Sequence, residues 1–206
     1  MTDPMSTSNT IWNVPNKLSV GRLVLSILVF IFLPMGWYWA AIIAFLIAAG
    51  TDWLDGWWAR KYDQVTQLGR MLDPFCDKFL ICGTFILLAV AMPAYPWFAS
   101  VAGWMAVIIV ARELLVTALR SFIENAGGDF SAKMAGKLKM WFQCIAAVAC
   151  MLALAYVGKT PTAENVVPAW LNWTIIVSVW VAVLSTLHSG YLYVAIAAKT
   201  IDLGAR

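Results

Sequence analysis

The sequence predicts an all-α integral membrane protein with six transmembrane helices, and two observations lead to that fold class. Hydrophobic residues make up 62% of the 206 residues and only 12% are charged, while the mean hydropathy is +0.79. Such a composition lies outside the usual range of a soluble domain. Apolar runs long enough to cross a hydrocarbon core also recur along the chain. The bilayer is therefore the solvent in which the remaining residues have to be interpreted.

Turn signals separate the six apolar segments. Residues 34–36 (PMG) and 93–96 (PAYP) predict tight turns, and residues 158–168 predict a polar loop. Residues 1–17 are interpreted as an N-terminal juxtamembrane segment and residues 18–206 as one six-helix membrane domain. The predicted spans are Leu18–Leu33, Trp39–Trp58, Pro74–Met92, Trp97–Val116, Leu138–Val157 and Trp170–Ala197.

The basic residues predict the orientation. Lys159 is the one basic residue in a loop on its side of the predicted membrane, so the positive-inside rule places both termini in the cytoplasm. Tryptophans at the opposite boundary predict an aromatic belt, formed by Trp37, Trp39, Trp97, Trp170 and Trp173. The basic residues near the cytoplasmic side are Lys17, Arg22, Arg60, Lys61, Arg70, Arg112, Arg120, Lys133, Lys137, Lys139, Lys199 and Arg206.

Four aspartates occur at helical spacing at the cytoplasmic ends of the second and third spans. Asp52 and Asp55 are three residues apart, whereas Asp73 and Asp77 are four apart and share one helix face. If residues 61–67 turn the chain back, the two carboxylate faces oppose each other. Four carboxylates in a partly desolvated site repel strongly, and divalent cations relieve that repulsion. Oxygen ligands without His or Cys favour Mg²⁺ or Mn²⁺ over zinc.

Several of these features have a second interpretation. Gly56, Ala59 and Gly69 leave room for a ligand, but small residues also allow close packing of membrane helices. Arg60 and Lys78 are also explained as positive-inside anchors. A divalent-cation transporter would also carry aspartates in its helices, although such sites are expected near the middle of the membrane.

The aspartates belong to a longer pattern with fixed spacing. It runs Asp52-x2-Asp55-Gly56-x2-Ala59-Arg60-x8-Gly69-x3-Asp73-x3-Asp77. This pattern resembles the signature of the CDP-alcohol phosphotransferases position for position. The similarity extends to residues 13–23 (NVPNKLSVGRL), 111–122 (ARELLVTALRSF) and 131–140 (SAKMAGKLKM), where the chain is most similar to the bacterial members that use glycerol 3-phosphate.

The resemblance implies a homodimeric six-helix enzyme of the bacterial cytoplasmic membrane, with a polar cavity that faces the cytoplasm. It implies that Asp52, Asp55 and Asp73 bind two Mg²⁺ ions, or Mn²⁺, with Asp77 near the second ion and acting as the general base. It further implies CDP-diacylglycerol as the phosphatidyl donor. The residues that would border its CDP group are Gly56, Ala59, Arg60 and Gly69.

The acceptor is predicted from a group of cations. Guanidinium and ammonium groups suit a phosphate monoester, which agrees with glycerol 3-phosphate as the acceptor in the family. Membrane topology or anionic lipid would also explain these cations, and Glu113 is an alternative partner for Arg112. Inositol phosphate, serine and phosphatidylglycerol remain alternative acceptors, whereas a formal net charge of +3 does not suggest nucleic acid. The predicted acceptor residues are Arg112, Arg120, Lys137 and Lys139.

Overall fold

Six α-helices make up most of the part of the chain that the structure describes. The computed structural model describes residues 14–62, 67–125, 133–162 and 166–204, and the side chains within 17–51, 74–121, 139–162 and 166–198. These residues contain no strand, and the all-α prediction is confirmed. The helices are α1 (Val14–Phe32), α2 (Tyr38–Tyr62), α3 (Gln67–Ala91), α4 (Gly103–Asn125), α5 (Lys133–Val157) and α6 (Ala169–Gly204).

Several of the helices have the length and composition of membrane spans. Among the described residues, three segments are long and apolar enough to cross a bilayer: Pro74–Ala91, Lys139–Val157 and Ala169–Ala198. A shorter apolar stretch, Tyr38–Thr51, forms the first half of α2. By these features the chain is a multi-pass membrane protein, and the count of six spans stays a prediction.

The helices pack as two groups of three. Helix α1 lies against α2 and α3, and α6 lies against α4 and α5. The two groups are in contact because α3 also packs against α4 and α5, and α5 packs against α2. Large side chains that are buried where the helices meet include Phe45, Phe85, Met105, Met151 and Leu171. Because lipid tails are as apolar as these side chains, close packing rather than escape from water holds membrane helices together.

The outer surface of the bundle is apolar. Large hydrophobic side chains point outward along the helices, where a soluble protein would carry charge. Val90 and Trp141 are each 71% exposed, and Val107 is 67% exposed. This surface is the one expected of helices that face lipid.

Two glycines end helices at the boundary where the tryptophan belt is predicted. Gly36 has φ +80° and follows α1, where its amide donates to the carbonyl of Leu33 while Trp37 donates to Phe32. Gly158 has φ +81° and donates to Leu154 after α5. Only glycine adopts this left-handed conformation without strain, and the turn satisfies carbonyls that the helix end leaves open.

The helices extend beyond most of the predicted spans, and the start of the fourth span differs in kind. The fourth span was predicted from Trp97, but Trp97–Ala99 forms a single 3-10 turn after Pro96 and α4 begins at Gly103. Ser100 is extended there, and its hydroxyl donates to the carbonyl of Pro96 at 2.9 Å, which interrupts the helical backbone pattern. Helix α3 begins at Gln67, seven residues before the third predicted span, whose start at Pro74 coincides with that of the apolar segment Pro74–Ala91. Proline lacks an amide proton but the flanking turns continue the helix.

Hydrogen bonds to backbone carbonyls hold the loops together at this boundary. The Tyr95 hydroxyl donates to the carbonyl of Gly158 at 2.7 Å, and the Trp180 indole donates to that of Phe98 at 3.2 Å. Lys159 donates to the carbonyl of Pro34 at 3.2 Å, so the loops after α1, α3 and α5 lie at one end of the bundle. The predicted belt residues there are all more than half exposed: Trp37, Trp39, Trp97, Trp170 and Trp173.

Replacing Tyr95 by Phe tests this network. The variant loses the hydrogen bond to Gly158, so the free energy of unfolding should fall by about 1 kcal/mol. Burial raises the pKa of Tyr95 to about 12, above its ordinary value of about 10. The stability difference should therefore be complete below about pH 10 and shrink as the pH rises toward the folded-state value. Thermal unfolding in detergent at several pH values measures this stability difference, with the exposed Tyr191→Phe variant as control. Equal melting temperatures of the wild type and Tyr95→Phe would contradict the role of the hydrogen bond.

Candidate functional site

The aspartate motif lies on the two helices predicted for it. Asp52 and Asp55 belong to the C-terminal half of α2, and Asp73 and Asp77 belong to the first half of α3. The side chains of residues 52–62 and 67–73, and all of residues 63–66, lie outside the described part of the chain. The opposition of the two carboxylate faces therefore stays a prediction. The same holds for the environment of Gly56, Ala59, Arg60 and Gly69.

Asp77 is the motif residue whose side chain the structure describes. Its Oδ1 accepts a hydrogen bond from Nη1 of Arg22 at 2.8 Å. The Arg22 side chain is fully buried on α1, whereas that of Asp77 is 28% exposed. A charge-assisted bond from a buried guanidinium fixes one oxygen of the carboxylate and leaves the group accessible from one side. Such an arrangement suits a carboxylate that must meet a substrate.

Polar contacts surround Arg22 along the seam between α1 and α3. The Ser26 hydroxyl donates to the carbonyl of Arg22 at 2.8 Å, and the Cys76 thiol donates to that of Ser19 at 3.5 Å. All four side chains are buried. Hydrogen bonds inside an apolar bundle have few competing partners, so this seam holds α1 against the part of α3 that carries Asp77.

A group of cations lies beside Asp77. Lys78 of α3 interacts electrostatically with Arg112 and Arg120 of α4, and Lys139 of α5 interacts with Arg112 and Lys78. Like charges held close together repel one another, and a bound anion would relieve that repulsion. Two of the four predicted acceptor residues, Arg112 and Lys139, thus lie together, whereas Arg120 is exposed and interacts with Lys78. The side chain of the fourth, Lys137, lies outside the described part of the chain.

Arg112 is buried and held by contacts from two helices. Its Nη1 donates to both carboxylate oxygens of Glu113, at 3.3 and 3.4 Å, and its Nη2 donates to the Ser189 hydroxyl of α6 at 2.6 Å. Its guanidinium carbon lies 5.3 Å from the centre of the Tyr193 ring, a cation–π distance. The open alternative, in which Glu113 pairs with Arg112, is therefore observed.

Glu113 also forms an ion pair with Lys139 of α5. All three charged side chains are buried, with residue exposures of 8% for Arg112, 7% for Glu113 and 5% for Lys139. The Glu113 carboxylate thus forms ion pairs with two cations, Arg112 of α4 and Lys139 of α5. A buried charge is tolerated only when it is paired and hydrogen-bonded, which explains why these residues converge.

The donor atoms of the predicted metal ligands can be compared with those that Mg²⁺ prefers. Three of them, Asp52, Asp55 and Asp73, have side chains outside the described residues. Among the described residues, no group of three His, Cys, Asp or Glu side chains could hold a metal ion. Asp77, at the partly exposed end of the Arg22 contact, offers carboxylate oxygen. A set of aspartates supplies oxygen donors alone, which fits a hard divalent cation such as Mg²⁺.

Comparison with known proteins decides the family. The family model described as CDP-alcohol phosphatidyltransferase matches residues 12–184. The chain belongs to this family. The match includes the aspartate motif and the cation cluster, and it ends before Ser189 and Tyr193 of α6.

Two relatives of this chain are both named CDP-diacylglycerol–glycerol-3-phosphate 3-phosphatidyltransferase. The protein from Bacillus subtilis is 33% identical over 88% of this chain and 93% of its own length. The protein from Escherichia coli K12 is 32% identical over 90% of this chain and 95% of its own length. The similarity therefore covers nearly the whole of both partners in each comparison.

Some residues that contact the predicted site residues were not themselves predicted. Arg22 was interpreted as a topology signal, although an arginine between apolar residues in a span signals a buried partner. The link from Glu113 to Lys139 could not be anticipated from spacing, because it joins different helices. Ser189 and Tyr193 gave no signal, since serine and tyrosine are common in membrane helices.

Replacing Arg22 by Met tests the contact with Asp77. Loss of the guanidinium removes a charge-assisted bond between α1 and α3, and the free energy of unfolding should fall by roughly 2 kcal/mol. Thermal unfolding in detergent measures the change. Lys17→Met serves as control, because Lys17 is an exposed cation on the same helix. A similar loss in both variants would contradict a specific role for Arg22.

Proposed function

We propose that this protein transfers the phosphatidyl group of CDP-diacylglycerol to glycerol 3-phosphate, forming phosphatidylglycerophosphate and CMP in phospholipid biosynthesis. One observation carries the proposal: the Asp77 carboxylate, held by Arg22, adjoins a cluster of cations on α3, α4 and α5. The names of the two relatives support the same donor and acceptor.

Asp77 is the proposed general base. The acceptor hydroxyl is a weak nucleophile, so a carboxylate within hydrogen-bond reach should take its proton as the new bond forms. The hydroxyl oxygen attacks the phosphorus that bears the diacylglycerol, and the bond from that phosphorus to the CMP oxygen breaks. CMP leaves with the electron pair. The bond from Arg22 fixes Asp77, so that its orientation does not have to be selected in each cycle.

The cation cluster is the proposed site for the acceptor phosphate. Arg112 and Arg120 are eight residues apart, about 12 Å along an ideal helix, so their long side chains would converge on a phosphate from two levels. Lys139, and by position Lys137, would approach from α5. This arrangement favours acceptors that carry a phosphate monoester, because serine lacks the dianion that the cations would neutralise.

The aspartates are the proposed metal ligands, and the small residues border the nucleotide. Asp52, Asp55 and Asp73 would hold two Mg²⁺ ions, with Asp77 close to the second; Mn²⁺ has the same donor preference. Bound ions of this kind neutralise pyrophosphate charge and stabilise the leaving phosphate. By the family pattern, the residues that would border CDP are Gly56, Ala59, Arg60 and Gly69.

The membrane location follows from the substrates. The diacyl tails must stay in lipid while cytidine stays in water, so a site at one boundary of the bilayer serves both. We place this boundary on the cytoplasmic side of the bacterial inner membrane, with both termini in the cytoplasm, by the distribution of basic residues. A homodimer is the proposed assembly.

An acceptor panel tests the function. The purified protein, CDP-diacylglycerol and Mg²⁺ should convert labelled glycerol 3-phosphate into lipid and release CMP in equal amount. Glycerol, serine and phosphatidylglycerol should react far more slowly, because none of them carries the phosphate monoester that the cation cluster would neutralise. Inositol phosphate does carry one, so the panel measures it directly against glycerol 3-phosphate. Equal conversion of glycerol would exclude the phosphate site. Divalent-ion transport without CMP release would support the transporter alternative instead.

Asparagine substitutions separate the proposed roles of the aspartates. Asp52→Asn, Asp55→Asn and Asp73→Asn should each abolish turnover, as should chelation of the wild type with EDTA, reversibly. Asp77→Asn should still bind CDP-diacylglycerol but transfer about 10²–10⁴ times more slowly, since it loses the base. Steady-state kinetics and donor binding measure both effects. Full activity in EDTA would rule out the metals, and loss of donor binding in Asp77→Asn would make Asp77 a ligand rather than the base.

A further inference from the structure

Glu113 has no role in the proposed transfer, yet its carboxylate lies where α4, α5 and α6 meet. We propose that Glu113 is a positioning residue, which holds Arg112 and Lys139 in the geometry that receives the acceptor phosphate, with Ser189 completing the frame. The inference rests on the proposed function, because it assigns the acceptor phosphate to this cluster. It adds Glu113 and Ser189, which do not touch the substrate but determine the positions of the Arg112 and Lys139 side chains.

The contacts of Glu113 fix both cations. Its carboxylate pairs with the ammonium of Lys139 and accepts from Nη1 of Arg112 at 3.3 and 3.4 Å. Residues adjacent on a helix point about 100° apart. The Arg112 side chain therefore has to lean across the helix surface to reach its neighbour. The carboxylate thus determines the direction in which the guanidinium extends.

Helix α6 holds the other side of Arg112. The Ser189 hydroxyl accepts from Nη2 at 2.6 Å, and the Tyr193 ring lies under the guanidinium. A Cβ atom at Gly190 would lie 3.3 Å from Cγ of Arg112, tighter than most such contacts, so a glycine there leaves room for the side chain. Arg112 is therefore held by both terminal nitrogens, and Gly190 leaves space for its aliphatic part.

The fixed cations still have donors for a ligand. The buried Nε of Arg112 has no hydrogen-bond partner among the described residues. A guanidinium carries five N–H donors and an ammonium three, more than Glu113 and Ser189 together engage. Two cations share one carboxylate, so the triad retains net positive charge. Glu113 makes the burial of two cations tolerable without neutralising them, which leaves charge for a phosphate.

A competing role makes the opposite forecast. If the Glu113 carboxylate occupied the phosphate position, its removal would free Arg112 and Lys139 and tighten acceptor binding. If it positions them, its removal releases the two side chains from their places and weakens acceptor binding. The sign of the change in acceptor KM therefore separates the two roles.

Glu113→Gln and Glu113→Asp provide the first test. Glu113→Gln should raise the KM for glycerol 3-phosphate about tenfold, which corresponds to about 1.4 kcal/mol, and leave the KM for CDP-diacylglycerol unchanged. Glu113→Asp keeps the charge on a shorter side chain and should restore part of the acceptor affinity. A lower acceptor KM, no change, or equal increases for both substrates would overturn the proposal.

A matched pair of serines on α6 provides the second test and does not depend on how Glu113 variants fold. Ser189 and Ser178 are both buried, and each hydroxyl donates to the carbonyl three residues earlier at 3.3 Å. Only Ser189 also contacts Arg112. Ser189→Ala should raise the acceptor KM while Ser178→Ala leaves it unchanged. Equal acceptor KM values in the two variants would overturn the proposed role of Ser189.

A binding measurement separates failure of the inference from failure of the proposed function. Inorganic phosphate should raise the melting temperature of the wild type and of Ser178→Ala, and should do so less for Glu113→Gln and Ser189→Ala. This readout needs no turnover. A wild type that stabilises with phosphate but does not use glycerol 3-phosphate would refute the function alone, whereas equal stabilisation of all four proteins would refute the positioning role.

Discussion

The cost of placing charge inside an apolar bundle is the constraint on which the functional half of this molecule depends. An isolated ion in such surroundings is prohibitively unfavourable, so each buried charge has to bring a partner from another helix or from its own. Arg22 and Asp77 join α1 to α3 in this way, and Glu113 with Lys139 joins α4 to α5. The same contacts that make charge tolerable therefore arrange the helices around the proposed site.

The two ends of the bundle meet this constraint differently. At the tryptophan boundary, the loops are joined by contacts to backbone carbonyls, in which Tyr95, Lys159 and Trp180 are the donors. At the other end, side-chain ions contact one another. Hydrogen bonds to backbone carbonyls create only a weak electrostatic field at a ligand. An excess of cations beside a carboxylate creates a strong electrostatic field. This difference supports placing the proposed site for a phosphorylated substrate at the charged end.

The cation cluster combines rigidity with unsatisfied charge. Arg112 is fixed by Glu113 and Ser189, yet the triad with Lys139 keeps one positive charge in excess. A rigid excess of this kind selects for an anion of matching size, because the cations cannot spread to accommodate another shape. Ser189 lies beyond residue 184, where the family match ends. The proposed acceptor side of the site would therefore draw on a part of α6 that lies beyond the residues matched by the family model.

The sequence by itself determined the helical class, the approximate helix positions and the family pattern, because these depend on local periodicity and fixed spacing. The start of the fourth span at Trp97 was misplaced, since the single turn Trp97–Ala99 and the extended Ser100 depend on backbone geometry that hydropathy does not register. Only the tertiary structure decided the charge partners. Lys139 meets Glu113 across 26 residues, Asp77 meets Arg22 across 55, and Ser189 meets Arg112 across 77. Such pairs depend on how helices rotate and pack against each other, and no local pattern of residues encodes that.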